Sequence, residues 1–408
     1  MEKSEFFADA RRDLTGPIHG IRVLEITTSW AGPMAGCMLA DLGAEVIKVE
    51  HPDGEIGRVL GPHLPGGAHL SLLYETANRN KRNLSVDMRK EVGRDLLIDL
   101  GRTCDLVVEN FKPGTLHGWG LGYEHFCAAK PDIVYVSISG FGQFGPHQAR
   151  AAYDPLVQAQ SGWMSLNGEI GGGPVKAPTF LGDDLAGMQA ALAALAALRH
   201  RDATGEGQHV DVALMDAILG ASNMFPSMAR LGIEAPRTAN QFPQVAPFNV
   251  YACRGGSVFL GMSLNSHWEI FANAVGRPEL VEDPRYATTE LRTQNRESVD
   301  ELVSRWCSEQ DQMRVVELLG GAGLPVAPVN DYRAATDDPN IEARDMLTDI
   351  ELSDGSRAPL LGPVPKFSRT PIGVRSGAPT IGQDNASILD ELGIDDARRR
   401  ALREAGVI

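Results

Sequence analysis

The chain has 408 residues, more than one domain usually holds, so two domains are expected. Hydrophobic residues make up 43% and charged residues 22%, an ordinary globular composition, and a net charge of −15 argues against nonspecific nucleic-acid binding while leaving room for a local basic pocket. Cys37, Cys104, Cys127, Cys253 and Cys307 form no CxxC pair, and the first seven residues carry no apolar signal core, so reduced thiols in a cytoplasmic protein are expected, without a disulfide framework or cysteine zinc site.

Residues 21–26 read as a buried strand, 27–33 as a turn, the stretch through Cys37 to Leu42 as a helix stopped by Gly43, and 45–50 as a second strand. Strand, short helix, strand is a βαβ unit, which implies a right-handed crossover in a parallel, doubly wound sheet. The turn Ala31-Gly32-Pro33-Met34-Ala35-Gly36 is not G-x-G-x-x-G, and Pro33 removes one N–H, so dinucleotide binding is rejected. A Gly/Pro-rich loop covers 51–67. The basic cluster Arg79-Asn80-Lys81-Arg82-Asn83 reads first as a solvated edge and second as a diphosphate grip. The alternation resumes with strand 84–86, helix 90–100, strand 105–108 and strand 133–138. The turns Glu109-Asn110-Phe111 and Ser139-Gly140-Phe141-Gly142 follow strand ends, where open α/β sheets bind ligands.

Asp154 before Pro155 reads as the N-cap of a helix through Met164, with Tyr153 just outside it. From Leu185 to Leu198 almost every residue is apolar, which predicts a buried central helix too short to span a bilayer. Gly182, Asp183 and Asp184 stand at its mouth. One acid is expected to cap the helix, which leaves the other as a candidate nucleophile or acid/base. Strand 208–213 and a helix from Met215 towards Met224 follow. After a polar, proline-bearing stretch at 230–247 come a hairpin at 249–260, helical patterns near 268–271, 298–307 and 313–319, and a charged tail helix at 395–404. The expected domains are a large one from 1–227, a small one at 228–325, and a return segment 326–408 that completes the large one.

In this order and spacing, several motifs resemble the class III CoA-transferases, the CaiB/BaiF family, of the formyl-CoA transferase-like kind. They are Val23-Leu24-Glu25 with Ala31-Gly32-Pro33, Leu42-Gly43-Ala44-Glu45-Val46-Ile47-Lys48-Val49-Glu50, Asn80-Lys81-Arg82-Asn83-Leu84-Ser85-Val86-Asp87, Val108-Glu109-Asn110-Phe111-Lys112-Pro113-Gly114, Tyr153-Asp154, Gly182-Asp183, Thr204-Gly205-Glu206-Gly207-Gln208-His209-Val210-Asp211, Pro328-Val329-Asn330 and Leu392-Gly393. The resemblance implies an α/β fold with a Rossmann-like large domain, a smaller α+β domain and an intertwined, ring-shaped homodimer. It also implies that Asp183 attacks an acyl-CoA thioester, giving an aspartyl anhydride and then an aspartyl-CoA thioester before CoA passes to a free carboxylic acid. Succinyl-CoA is the default donor, CoA enters as a substrate, and no permanent cofactor or metal is implied.

By the same resemblance Trp30 and Ala31 lie along the CoA path, and Tyr153 is a candidate CoA contact. His51 replaces a phosphate-contacting position that is often Arg, Asn110 matches a CoA-contacting position, and Gly118 stands where relatives carry a phosphate-binding Arg. Lys81, Arg82 or Arg150 are the candidates to compensate, and the glycine-rich lid of some members is not evident at 238–246. Met38, Trp163 and Phe180 are read as core packing rather than an acyl pocket. The rivals are a 2-methylacyl-CoA racemase and a non-catalytic CoA-binding subunit of a heteromeric transferase. Racemization pairs the Asp183 position with a His where this chain has Tyr153, and tyrosine, with an ordinary pKa of about 10, is a poor base at neutral pH.

Overall fold

The structure, a computed structural model, describes residues 1–65 and 70–408. The expected end of the Gly/Pro-rich loop at Gly67 lies outside the described residues. The chain forms two compact units, one of Met1–Met164, Lys176–Ile233 and Pro339–Ile408, the other of Ser165–Val175 and Glu234–Asp338.

The first unit is built on a six-stranded sheet of β1 Arg22–Ile26, β2 Glu45–Glu50, β3 Arg82–Ser85, β4 Leu106–Glu109, β5 Val134–Ser139 and β6 Gln208–Ala213. Its order is β3-β2-β1-β4-β5-β6 with every neighbouring pair parallel, the doubly wound arrangement. Side chains alternate across the sheet with the strand period of two. Leu24, Ile26, Ile47, Val49, Val107 and Tyr135 enter a first core with residues of the helices Glu91–Gly101 and Tyr123–Ala129. Val23, Val46, Val108, Val134 and Val136 enter a second core with the helices Ala31–Asp41, Leu181–Thr204 and Leu214–Ala221.

Two local expectations need correction. The turn after β1 is shorter than 27–33, because the helix starts at Ala31 and Pro33 falls in its first turn, where the missing N–H has no intrahelical partner to lose. The central helix is also longer and less enclosed than expected. It runs for 24 residues, Leu181–Thr204, and its length and composition alone would let it cross a membrane. Ala186, Ala190, Ala194 and Ala197 pack into the second core, whereas Met188 and Leu192 are exposed on this chain. Small residues on the inner face permit close packing. A Cβ on Gly187 would lie only 3.0 Å from the Ala31 carbonyl oxygen.

A buried charge network ties the ends of β1 and β2 to the loops that follow. Glu25 lies 2.7 Å from Lys81 Nζ and 3.4 Å from Lys48 Nζ, and all three side chains are sealed from solvent. Lys48 Nζ also donates to the Thr27 carbonyl at 3.2 Å and lies 3.6 Å from Glu55. Glu55 Oε2 accepts from Thr28 Oγ1 and from the backbone N–H groups of Ser29 and Gly57, at 2.8–3.0 Å. Beside it Arg58 donates two hydrogen bonds to Glu50. Burial alone would raise the Glu50 carboxyl, but Arg58 and Lys48 outweigh it and hold the group below the ordinary carboxylate value.

The C-terminal segment closes the sheet. Asp384 and Asn385 side chains accept from the Asn83 and Ser85 N–H groups, each at 2.8 Å, so β3 offers no open edge there. Ile388, Leu389, Leu402 and Val407 complete the first core.

The second unit carries an antiparallel sheet of β7 Phe248–Cys253, β8 Gly256–Gly261 and β9 Val326–Pro328, in that order. Its core includes Tyr251, Leu260, Trp268, Phe271, Val303 and Leu319. The expected boundaries at 228 and 325 shift for this reason: β9 pairs with β8 and keeps residues through Asp338 in this unit, while residues 228–233 stay with the first. Ser165–Val175 also joins it, held through hydrogen bonds from Arg237 to the Ser165 and Gly172 carbonyls. The hairpin β10 Leu347–Glu351 and β11 Arg357–Leu361, not anticipated from the sequence, belongs to the first unit.

Removing one partner of a buried ion pair leaves an uncompensated charge and typically costs about 3–5 kcal/mol. Glu25→Leu would strand two buried ammonium groups, so a loss of that size is expected, read as a large drop in Tm by differential scanning calorimetry.

Candidate active site

The N-terminus of the central helix gathers three carboxylates in three different environments. Asp154 opens the helix Asp154–Gln160 and does not cap it, because the N-cap position belongs to Tyr153. Its carboxylate crosses to the central helix instead, with Oδ1 accepting from the Gly182 N–H at 2.6 Å and Oδ2 accepting from Gln158 Nε2 at 2.6 Å. The expected cap by Asp183 or Asp184 is therefore corrected. The helix starts at Leu181, both acids lie inside its first turn, and Asp154 supplies the oxygen that an N-cap side chain would.

Asp184 is engaged as well. Its Oδ1 accepts from Trp30 Nε1 at 2.6 Å, and the Trp30 ring meets Phe180 edge-on at 5.5 Å. Burial raises the Asp184 carboxyl, the Trp30 hydrogen bond opposes this and Asp154 adds to it.

Asp183 is the one left over. It is half-buried, and its carboxylate has no hydrogen-bond donor among the described residues. Burial first, then the neighbouring Asp154 and Asp184 charges, push its pKa from 3.8 to about 7. A desolvated carboxylate without a fixed donor, next to a helix N-terminus able to receive negative charge, is suited to acid/base or nucleophilic chemistry.

The residues expected along the CoA path separate into three groups. Trp30 and Ala31 adjoin the carboxylates, Trp30 through Asp184 and Ala31 through its close approach to Gly187. Tyr153, directly before Asp154, is 74% exposed, so its ring is open to a ligand. Asn110 shapes the loop that carries Trp30: its Oδ1 accepts from the Thr28 N–H at 2.9 Å and its Nδ2 donates to the Thr28 carbonyl at 2.8 Å. Ser29 in that loop holds a positive φ of 69°, a strained conformation of the kind found at functional sites.

His51 follows β2. Its Nδ1 accepts from the Asp53 N–H at 3.1 Å, and its Nε2 lies 3.6 Å from Asp87 and contacts Arg89. Arg89 is an exposed cation here with no signal in the linear sequence; strand order alone brings residues 51 and 89 together.

Lys81 and Arg82 fail as phosphate ligands. Lys81 Nζ is buried, paired with Glu25 and donating to the Pro33 carbonyl at 2.8 Å and to Asn78 at 3.0 Å. Arg82 is held by Glu45, Glu391 and Ser387. Both readings of the basic cluster, solvated edge and diphosphate grip, are wrong for Lys81, because its ammonium neutralises a buried acid. Gly118 is exposed with open space where a side chain would stand, and Arg150 is exposed with its guanidinium 5.1 Å from the Phe141 ring centre.

An open parallel sheet with a desolvated acid at a helix mouth above its second face defines an α/β enzyme site. A family model described as CoA-transferase family III matches residues 18–385, and the chain belongs to that family. It is an enzyme of the CoA-transferase class. It is 36% identical to a succinate–glutarate CoA-transferase of Agrobacterium fabrum, over 92% of this chain and 96% of that one. It is 35% identical to a succinyl-CoA–D-citramalate CoA-transferase of Chloroflexus aurantiacus, over 92% and 94%. The crystal structure of a CaiB/BaiF family protein from Brucella suis superposes with a TM-score of 0.84 at 33% identity, covering 93% of this chain and all of that one.

The raised Asp183 pKa has a consequence for stability. Between pH 3.8 and about 7 the folded state holds a proton that the unfolded chain has released, so this group's contribution falls as pH rises through that window. Asp183→Asn removes the charge and keeps the shape. At pH 8 it should stabilise the protein by about 1–3 kcal/mol, after discounting for solvent screening of a half-buried group, with the gain shrinking towards pH 4. Thermal melts of both proteins at the two pH values measure this.

Proposed function

We propose that this enzyme moves CoA from succinyl-CoA to a free carboxylic acid, with Asp183 as the group that is transiently acylated. The observation that carries the reading is Asp183 itself, which, unlike Asp154 and Asp184, has no fixed donor among the described residues. The ionised carboxylate attacks the thioester carbonyl, the C–S bond breaks, and a mixed anhydride and CoA thiolate form. The thiolate then attacks the Asp183 acyl carbon, releasing the donor acid and leaving an aspartyl-CoA thioester. The acceptor carboxylate attacks that thioester and expels CoA thiolate, giving a second mixed anhydride, and the thiolate then attacks the acceptor acyl carbon and releases the Asp183 carboxylate.

Each step needs negative charge stabilised as it moves. Backbone N–H groups at the helix start and the dipole of the central helix favour developing oxyanions. Partial burial removes water that would hydrolyse the anhydride. Asp154 and Trp30 act as positioning residues, one holding the helix start and the other holding Asp184 aside. In this proposal the CoA pantetheine arm runs past Trp30, Ala31 and Tyr153, and its phosphates meet His51 with Arg89 and Arg150 in place of Lys81 and Arg82. Names of the relatives support a dicarboxylic acceptor and a succinyl donor. An intertwined homodimer is part of the same reading, since a second copy would cover the exposed Met188 and Leu192. So is a cytoplasmic setting, with which five free cysteines agree.

Asp183→Ala should lower transfer between succinyl-CoA and glutarate by at least about 10³-fold while CoA still binds. Hydroxylamine added during turnover should tag Asp183 and leave Asp184 unmodified, read by peptide mass spectrometry. An alanine variant of full activity would refute the assignment. Because the ionised form reacts, kcat/KM should fall as pH drops below about 7.

A further inference from the structure

The first core, on the face of the sheet away from the central helix, contains Leu116 and Tyr135, which also line a cleft of about 510 Å³. Two short helices meet at this cleft. Thr115–Gly118 carries His117, and Tyr123–Ala129 carries Glu124 and His125. One donor atom from each of the three side chains lies within 4.8 Å of the other two. His117 Nδ1 is 3.2 Å from Glu124 Oε2, and the two imidazole centres are 5.5 Å apart. His125 Nδ1 is buried and has no hydrogen-bond partner among the described residues.

A solvated His–Glu contact accounts for His117 and Glu124, but it leaves the orphaned nitrogen of His125 without a reason. A shared cation would give the three side chains one common partner. Zinc bonds of about 2.0–2.2 Å in a tetrahedron set neighbouring ligand atoms roughly 3.3–3.6 Å apart. The His117–Glu124 pair already has nearly that spacing, and a His125 donor atom lies within 4.8 Å of both. Two imidazoles and one carboxylate suit zinc, nickel or copper and are a poor set for magnesium or calcium. His117 and Glu124 line the cleft, so a fourth ligand, water or a small anion, has room there.

We propose that His117, Glu124 and His125 form a binding site for one divalent transition-metal ion of the zinc type. The ion would clamp the two helices together across residues 119–122. Its three ligands are distinct from Asp183, the acid proposed to carry the acyl transfer. Binding to the folded state alone would raise the Tm as free ion increases.

The test is calorimetric titration of the full-length chain, free of any polyhistidine tag, with zinc chloride. One ion per chain is expected, with no heat from magnesium chloride at the same concentration. His125→Ala and Glu124→Gln should each weaken zinc binding at least tenfold, whereas His147→Ala, outside the cluster, should bind as the parent does. Cobalt(II) should give a visible absorption band that disappears in His117→Ala. Parental affinity in His125→Ala, or an equal loss in His147→Ala, would overturn the proposal. A zinc-induced rise in Tm that persists in all three cluster variants would do the same.

Discussion

Glu25 sits at the end of the central strand β1 with no solvent around it, and two ammonium groups must accompany it there. That requirement fixes much of the site. Lys48 answers it from β2 and also holds the Thr27 carbonyl, while Lys81 answers it from the chain leading into β3 and holds the Pro33 carbonyl. The loop between β1 and the next helix is thereby tied at both ends. Glu55 and Asn110 bind its middle, which sustains the positive φ of Ser29. Trp30 emerges from this loop aimed at Asp184. A charge balance in the sheet thus reaches the mouth of the central helix through a short series of hydrogen bonds.

At that mouth the same chemical group serves three purposes because its surroundings differ. Asp154 receives a backbone N–H and an amide, and it caps a helix to which it does not belong. Asp184 receives an indole N–H. Asp183 receives no donor among the described residues and is crowded by the charges of both neighbours. Partners lower the free energy of a carboxylate and make it inert, and withholding them leaves a reactive one. The small residues at 182 and 187 contribute by letting neighbouring segments approach the helix closely.

In the basic cluster at 79–83, position along the chain does not reveal the partner of each charge. Arg79, Lys81 and Arg82 look alike as charges on a line. In the fold Arg79 pairs with buried Asp41, Lys81 with buried Glu25 and Arg82 with Glu45 and Glu391, so none is left free for a phosphate. Their partners come from distant positions, and strand order decides the pairing. Asp154 makes the same point: Asp before Pro is a sound cap signal, but the helix it caps begins at Leu181.

Composition, the period-two strands and the βαβ spacing were enough to determine a doubly wound sheet, a small second unit and a candidate acid ahead of an alanine-rich helix. Those features depend on neighbours within a few residues, which a sequence displays directly. Tertiary structure alone decided which acid stays unpartnered, where the second unit ends, and which cations are consumed inside the fold. Each of those outcomes depends on desolvation and on partners brought close by chain crossings, and neither quantity exists until the strands are assembled.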